Sequence, residues 1–134
     1  MNISIITFTD KGTELAEKLR LAFGHTRIPE NYSLITIEKR KKEDNHTKTS
    51  GNDQSLSEWT KEQFAAKNAI VFIGACGIAV RLIAPFVTDK LTDSPVVVLD
   101  EAGTFVIPLL SGHMGGANEL AGEIASLIGA VPVI

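Results

Sequence analysis

The chain has 134 residues, of which 44% are apolar and 22% charged, and its formal net charge is −3. These values are typical of one soluble globular domain. The negative charge excludes a global positive field that would favour nucleic acid, so a polyanionic ligand needs a local positive site. The single cysteine, Cys76, cannot form an internal disulfide, which suits a reducing cytoplasm. No apolar run is long enough for a membrane span, and the N-terminus does not resemble a signal peptide.

Strands and helices alternate through the first half of the chain, as judged from the spacing of apolar residues. The predicted elements in chain order are strand 3–8, a helix capped by Asp10 or Thr13 and ended by Gly24, strand 32–37, a helix from Ser57 through 66, strand 69–73, helix 78–86, a hairpin of strands 95–99 and 104–107, a helix around 120–128, and a strand at 131–134. This order predicts one α/β domain over 1–134, a three-layer, open, mainly parallel sheet with helices on both faces and a hairpin near its C-terminal half. The predicted strand at 131–134 is interpreted as truncated at or near its end, which leaves open that the natural protein continues.

Residues 39–55 differ in character from the rest of the chain. A charged run from Lys39 to His46 is followed by a segment rich in Ser, Thr, Gly and Asn. The basic residues could contact an anion, but neighbouring acids neutralise them and no aromatic residue lies among them. A flexible, solvated surface loop is the favoured interpretation.

The first segment with candidate ligand-binding residues runs from Gly74 to Arg81, where a buried strand ends and a helix begins. Gly74 and Gly77 would let a ligand approach the backbone, and the helix N-terminus would offer N–H groups to a carboxylate or phosphate. Arg81 could bind a carboxylate, or pair with an acid such as Asp89 or Asp93. Helix–strand packing explains the glycines equally well, and Cys76 is better explained as a small buried residue than as a nucleophile.

The second segment runs from Leu109 to Leu120 and collects several polar groups between a strand and a helix. His113 is the candidate for proton transfer, since histidine exchanges protons near neutral pH. The candidates for holding an oxyanion or a carboxylate are Ser111, Asn118 and the backbone of Gly112, Gly115 and Gly116. A helix cap with a structural histidine is the alternative. Because ligands of open α/β sheets bind at the carboxyl ends of strands, both glycine segments are expected at one edge of the sheet.

Metal binding and a serine-hydrolase triad are both disfavoured. One cysteine and three scattered histidines lack the spacing of a metal site. Ser111, His113 and Asp100 could be imagined as a triad, but no nucleophile elbow surrounds the serine.

Three segments make the sequence resemble the CbiG family of cobalamin biosynthesis proteins. They are VFIGACGIAVR at 71–81, DKLTDSPVVVLD at 89–100 and PLLSGHMGGANELA at 108–121, and the resemblance extends over about 69–134. It implies an N-terminal domain of a longer enzyme that opens the δ-lactone of cobalt-precorrin-5A with water and releases acetaldehyde to give cobalt-precorrin-5B. It also implies that no cofactor is needed, since the substrate carries the cobalt, and that the partners are this corrinoid and the C-terminal domain of the same enzyme. A homodimer is left open.

In the light of this resemblance, His113 is the candidate acid or base, while Arg81 and the Gly74–Gly77 turn would hold substrate carboxylates. Asp93 and Asp100 could orient His113 or a water, although a helix cap and a hairpin turn explain them equally well. The alternative functions are a non-catalytic tetrapyrrole-binding or interaction module of that enzyme and, less favoured, a flavodoxin-like nucleotide-binding domain. The only tryptophan and tyrosine of the chain lie outside both glycine segments, which argues against a flavin.

Overall fold

A computed structural model describes residues 1–25, 32–41 and 54–134. Its strands are β1 (Ile3–Thr7), β2 (Ile35–Lys39), β3 (Ala69–Ile73), β4 (Val96–Leu99), β5 (Phe105–Leu110) and β6 (Val131–Pro132). Its helices are α1 (Asp10–His25), α2 (Leu56–Ala66), α3 (Cys76–Ile83) and α4 (Ala117–Ile128), and a 3₁₀ helix, Ala84–Phe86, extends α3. None of the helices in the described ranges is long and apolar enough to cross a membrane.

The strands form one sheet in the order β2-β1-β3-β4-β5-β6. The four strands β2, β1, β3 and β4 run parallel, β5 pairs antiparallel with β4, and β6 pairs parallel with β5. The predicted α/β class, the mainly parallel sheet and the hairpin are therefore confirmed. We call the edge at which β1–β4 end the carboxyl edge, and the edge at which they begin the amino edge.

Alternate side chains of the central strands enter two cores, one on each face of the sheet. Val71 and Ile73 of β3 pack with α1 and α4, whereas Ile70 and Phe72 of the same strand pack with α2 and α3. This period of two, with both faces apolar, is what a strand covered by helices on both sides requires. The predicted helices on both faces are confirmed.

Several boundaries differ from the sequence-based predictions for local reasons. Thr9, rather than Asp10 or Thr13, caps α1, because its hydroxyl accepts the N–H of Gly12 at 3.0 Å. Gly24 lies inside α1 and does not end it. Ser55, rather than Ser57, caps α2 by accepting the N–H of Glu58 at 3.1 Å.

Most of the predicted flexible segment 39–55 lies outside the described residues. Of its described ends, Lys39 belongs to β2 and Ser55 caps α2. Arg40 is buried, and its guanidinium donates to the carboxylate of Glu38 at 2.5 Å and to the carbonyl of Gln54 at 2.7 Å.

Candidate functional site

The two glycine segments lie at opposite edges of the sheet. The Gly74–Gly77 turn follows β3 at the carboxyl edge, where the N–H of Gly74 donates to the carbonyl of Leu99 at 3.0 Å. The second segment follows β5, whose last residue, Leu110, pairs with Val96 at the start of β4, which is the amino edge. The prediction that both glycine segments lie at one edge of the sheet is therefore wrong. Loops that follow parallel strands lie together at the carboxyl edge. Because β5 is antiparallel to β4, the loop that follows β5 lies at the amino edge instead.

At the carboxyl edge, packing explains one of the two glycines in the Gly74–Gly77 turn. A Cβ on Gly74 would lie 3.3 Å from the Phe72 ring, whereas one on Gly77 would meet nothing within 4 Å. Cys76 is partly buried against the α2/α3 core. No side chain caps the N-terminus of α3.

Arg81 and Asp100 are also separated from the second glycine segment. Arg81 lies on α3 with its side chain exposed, and it forms no ion pair within the described part of the chain. The carboxylate of Asp100 accepts the N–H groups of Thr104 and Phe105 at 2.9 and 2.6 Å. It thereby closes the β4–β5 hairpin.

At the amino edge, the segment from Ser111 to Gly116, which we call the glycine loop, has a backbone that tolerates few side chains. A Cβ on Gly115 would lie 2.4 Å from the Cβ of Ser111, and one on Gly112 would lie 2.7 Å from Oδ1 of Asn118. Gly116 has a φ of +91°, and Ser111 adopts a φ of +59°, which is unusual for a residue with a Cβ. Steric contact and backbone conformation therefore account for these glycines, and strain of this kind is concentrated at functional sites.

Hydrogen bonds connect the glycine loop to the helix that follows it and to the turn before β4. The carbonyls of Ser111 and Gly112 accept the N–H groups of Ala117 and Asn118 at 3.1 and 3.0 Å. The hydroxyl of Ser111 donates to the carbonyl of Asp93 at 3.1 Å and is buried. Ser111 thus holds the loop in place, and its hydroxyl is already engaged.

The carboxylate of Asp93 is buried and organises the turn in which it lies. It accepts the N–H and hydroxyl of Thr88 and the N–H of Asp89, at distances between 3.0 and 3.2 Å. Asp93 therefore contributes its carbonyl to the glycine loop, while its carboxylate holds the 88–93 turn.

His113 lies at the exposed tip of the glycine loop, followed by Met114, which is 77% exposed. Its ring has no hydrogen-bond partner in the ranges that the structure describes, so it is free to face a ligand. Asn118, in the first turn of α4, is partly buried beside Gly112. The structure therefore brings together Ser111, His113, Asn118, Asp93 and the loop glycines, and it leaves Gly74, Gly77, Arg81 and Asp100 elsewhere.

Tyr32 is a residue of this site that the sequence did not reveal. The residue is only 7% exposed and belongs to the core shared with α4, and its hydroxyl lies 3.8 Å from the position a Cβ would take on Gly116. Burial, and then the negative charge of Glu119, raise the pKa of the Tyr32 hydroxyl above the usual 10.0. The proximity depends on pairing between elements distant in sequence, since β2 must lie beside β1 to bring Tyr32 to the amino edge.

A groove of about 410 Å³ opens between α2 and the 3₁₀ helix. Phe64, Pro85 and Phe86 form its apolar part, and Lys61 and Lys67 supply positive charge. The two phenylalanine rings have centroids 5.9 Å apart. Asp93 and Thr88 also line this groove, so the turn that supports the glycine loop forms part of its wall.

No cluster of three or more metal-ligating side chains occurs in the ranges 1–25, 32–41 and 54–134. The donors at the amino edge are one histidine, hydroxyls and backbone N–H groups. They suit proton transfer and the binding of oxygen atoms rather than the coordination of a metal.

The mixed sheet and its glycine-rich strand-to-helix loop define the chain as an α/β domain that offers polar groups at the ends of its strands. The model of the family described as Cobalamin synthesis G N-terminal matches residues 58–134. This is more than half of the chain, and the chain belongs to that family. The predicted family relationship is confirmed.

Two relatives are named cobalt-precorrin-5A hydrolase. The chain is 51% identical over 82 residues to the protein from Salmonella typhimurium, a match that covers 61% of this chain and 23% of the relative. It is 37% identical over 132 residues to the protein from Priestia megaterium, which covers 98% of this chain and 34% of the relative. The chain therefore spans about a third, or less, of the length of these relatives.

The fold is also that of a solved structure, a cobalamin biosynthesis protein G homolog from Sulfolobus solfataricus. The TM-score is 0.69 at 24% identity, over 99% of this chain and 36% of the other. At this identity the likeness concerns the fold.

Proposed function

We propose that the chain is the N-terminal part of a cobalt-precorrin-5A hydrolase and that the glycine loop forms part of its active site. The observation that carries this proposal is the exposed His113 on a strained loop that steric contacts and hydrogen bonds hold in place. The proposed substrate is inferred from the names of these two relatives, because 37% and 51% identity are high enough to expect related chemistry.

The reaction begins with hydrolysis of a δ-lactone, and His113 suits its proton transfers. A base must remove a proton from water as its oxygen attacks the lactone carbonyl, and donors must stabilise the oxyanion that forms. Breaking the C–O bond yields a carboxylate and an alcohol. The alcohol then loses its hydroxyl proton, its C–C bond to the macrocycle breaks, and the two-carbon fragment leaves with that oxygen as acetaldehyde. The carbon left behind needs a proton, which an acid beside the substrate can return.

The groove beside the glycine loop suits the periphery of such a substrate. A corrinoid precursor carries many carboxylates around an apolar ring, and the groove combines Lys61 and Lys67 with the apolar surface of Phe64 and Phe86. With Arg81 and the Gly74–Gly77 turn at a distance from the glycine loop, any carboxylates they bind belong to another part of the ligand.

The C-terminal part of the same enzyme is proposed to complete the active site. The glycine loop offers one good proton-transfer group, and the carboxylates of Asp93 and Asp100 are engaged in local turns. A corrin ring is also broad compared with one loop, and ligand pockets commonly form where domains meet.

The test is a chimera in which this chain replaces the matching region of the Priestia megaterium protein. We expect the chimera to release acetaldehyde from cobalt-precorrin-5A, and the 134-residue chain alone to bind the corrinoid weakly and turn it over negligibly. A folded chimera without activity would contradict the proposed function. Release by the isolated chain at the rate of the chimera would show that the second part is not needed.

A non-catalytic corrinoid-binding module is the second candidate, and one observation favours it. His113 has no hydrogen-bonded partner among the described residues to orient its ring, as a general base usually has. In that case His113→Ala in the chimera would weaken corrinoid binding without lowering the turnover number.

A further inference from the structure

The hydroxyl of Tyr32 is buried beside the glycine loop and has no hydrogen-bond partner in the described part of the chain. Buried hydroxyls are almost always paired, because an unpaired one has lost its hydrogen bonds to water without replacement. A phenylalanine would fill the same space without that penalty. An unpaired phenol next to a strained loop therefore indicates a group that acquires its partner from a ligand.

The phenol points to the first turn of α4. Its oxygen lies 3.8 Å from the Cβ position of Gly116, the residue that precedes this helix, and it is close enough to Glu119 for that charge to raise its pKa. Loop carbonyls accept the N–H groups of Ala117 and Asn118, and the carbonyl of Gly116 accepts that of Leu120. Among the described residues, the N–H of Glu119 has no such acceptor, so a second donor lies in the same turn.

We propose that Tyr32 donates a hydrogen bond to the carbonyl oxygen of the substrate lactone and stabilises the oxyanion that forms when water attacks it. This inference rests on the proposed function and adds a catalytic residue to it. The positive end of the α4 dipole acts on the same oxygen. Water adds to the carbonyl carbon as His113 takes its proton, the C–O bond of the ring breaks as that proton passes to the leaving alcohol oxygen, and Tyr32 keeps its own proton throughout.

The phenol is held in the protonated form that can donate to a carbonyl oxygen. Burial, and then the negative charge of Glu119, raise its pKa and keep the hydroxyl protonated. A negative charge that forms only in the transition state is stabilised when the donor is already in place.

Access requires a small movement of the glycine loop, because the hydroxyl is not exposed to solvent. The backbone at Gly116 lies next to the phenol, so this is the part of the loop that has to move. The substrate oxygen would then occupy the space between Tyr32 and the first turn of α4.

The first test is Tyr32→Phe in the chimera with the Priestia megaterium protein. We expect kcat to fall by about 10²–10³-fold with KM changed by less than about twofold, since an oxyanion donor acts mainly in the transition state. The control is Phe23→Leu, which alters another buried aromatic of the same core and should lower the melting temperature without changing kcat. A rise in KM alone would identify a ground-state contact and overturn the proposal. Unchanged kinetics would show that the phenol serves only the folded structure or binds a water.

The second test separates this inference from the proposed function. Tyr32 is the only tyrosine, so ¹³Cζ labelling of the 134-residue chain gives one resonance, and the His113 ring can be followed beside it. Addition of cobalt-precorrin-5A is expected to shift or broaden both signals. A response of His113 alone would overturn the role of Tyr32 and leave the proposed function standing. A response of neither, together with an inactive wild-type chimera, would overturn both.

Discussion

The hydroxyl of Ser111 donates to the main-chain carbonyl of Asp93 at 3.1 Å and joins the glycine loop to the turn that precedes β4. The carboxylate of Asp93 in turn holds Thr88, and both residues line the groove that carries Lys61 and Lys67. One buried hydrogen bond thus connects the loop of His113 with the surface proposed to bind substrate carboxylates. Replacing this one side chain therefore measures how much the hydrogen bond stabilises the loop.

Replacement of Ser111 tests this connection. Ser111→Ala should lower the free energy of unfolding by about 1–2 kcal/mol, because the carbonyl of Asp93 loses its donor inside the protein. Ser111→Gly is the matched control. It loses the same bond but relieves a φ of +59°, so it should be more stable than Ser111→Ala by roughly 1 kcal/mol. Urea unfolding measures both, and equal stabilities would contradict the strained conformation.

The sequence predicted the fold well because its strongest signals are local. The apolar runs at β1, β3 and β4 and the spacing within α4 each reflect burial against the sheet, and each element was found. The hairpin was predicted from the turn at 100–103, and it is present as the antiparallel β4–β5 pair. That same hairpin reverses β5 and sends the following loop to the amino edge. Treating this loop as if it followed a parallel strand produced the wrong prediction of one shared edge.

The candidate site was only partly predictable from the sequence. The composition of the segment 111–118 identified the loop of His113 without any knowledge of its surroundings. Tyr32 gave no such signal, because its proximity to Gly116 depends on the order of strands in the sheet and on the packing of α4 against the same core. The groove had no sequence signal either, since it forms between α2 and the 3₁₀ helix, which meet only in the folded chain.

The two glycine segments are expected to respond differently to alanine. Gly115→Ala places a Cβ 2.4 Å from the Cβ of Ser111 and 2.8 Å from its carbonyl oxygen, which should destabilise the protein by about 2–3 kcal/mol. Gly77→Ala is the matched control. Its Cβ meets nothing within 4 Å, and alanine favours the helix, so stability should stay the same or rise by up to about 1 kcal/mol. Thermal unfolding of both variants checks this, and a similar loss in both would contradict the geometry.

The titration of Tyr32 provides a prediction about pH. Because the folded-state pKa is raised above 10.0, the phenol should ionise only at higher pH, which the near-ultraviolet absorbance of tyrosinate follows directly for a single tyrosine. The folded state holds the proton more tightly than the unfolded state. The contribution of this bound proton to the free energy of unfolding is therefore complete below pH 10 and is lost as pH rises through the folded-state pKa.

Two variants control this titration. Glu119→Gln should lower the pKa of Tyr32 but leave it above 10.0, because burial is the larger cause. Tyr32→Phe should abolish the absorbance change and remove the loss of stability that begins above pH 10. A wild-type midpoint at or below pH 10 would show that the phenol is not buried as described.

Replacement of His113 is the most direct test of the proposed hydrolase activity. Its side chain is exposed and unpaired within the described ranges, so His113→Ala should leave the melting temperature almost unchanged. If His113 transfers protons, kcat for acetaldehyde release by the chimera should fall by about 10²–10⁴-fold, and one limb of its pH–rate profile should disappear. Met114→Ala, at the next exposed position, should leave both unchanged. A variant with the melting temperature lowered and its specific activity intact would instead identify His113 as a structural residue of the loop.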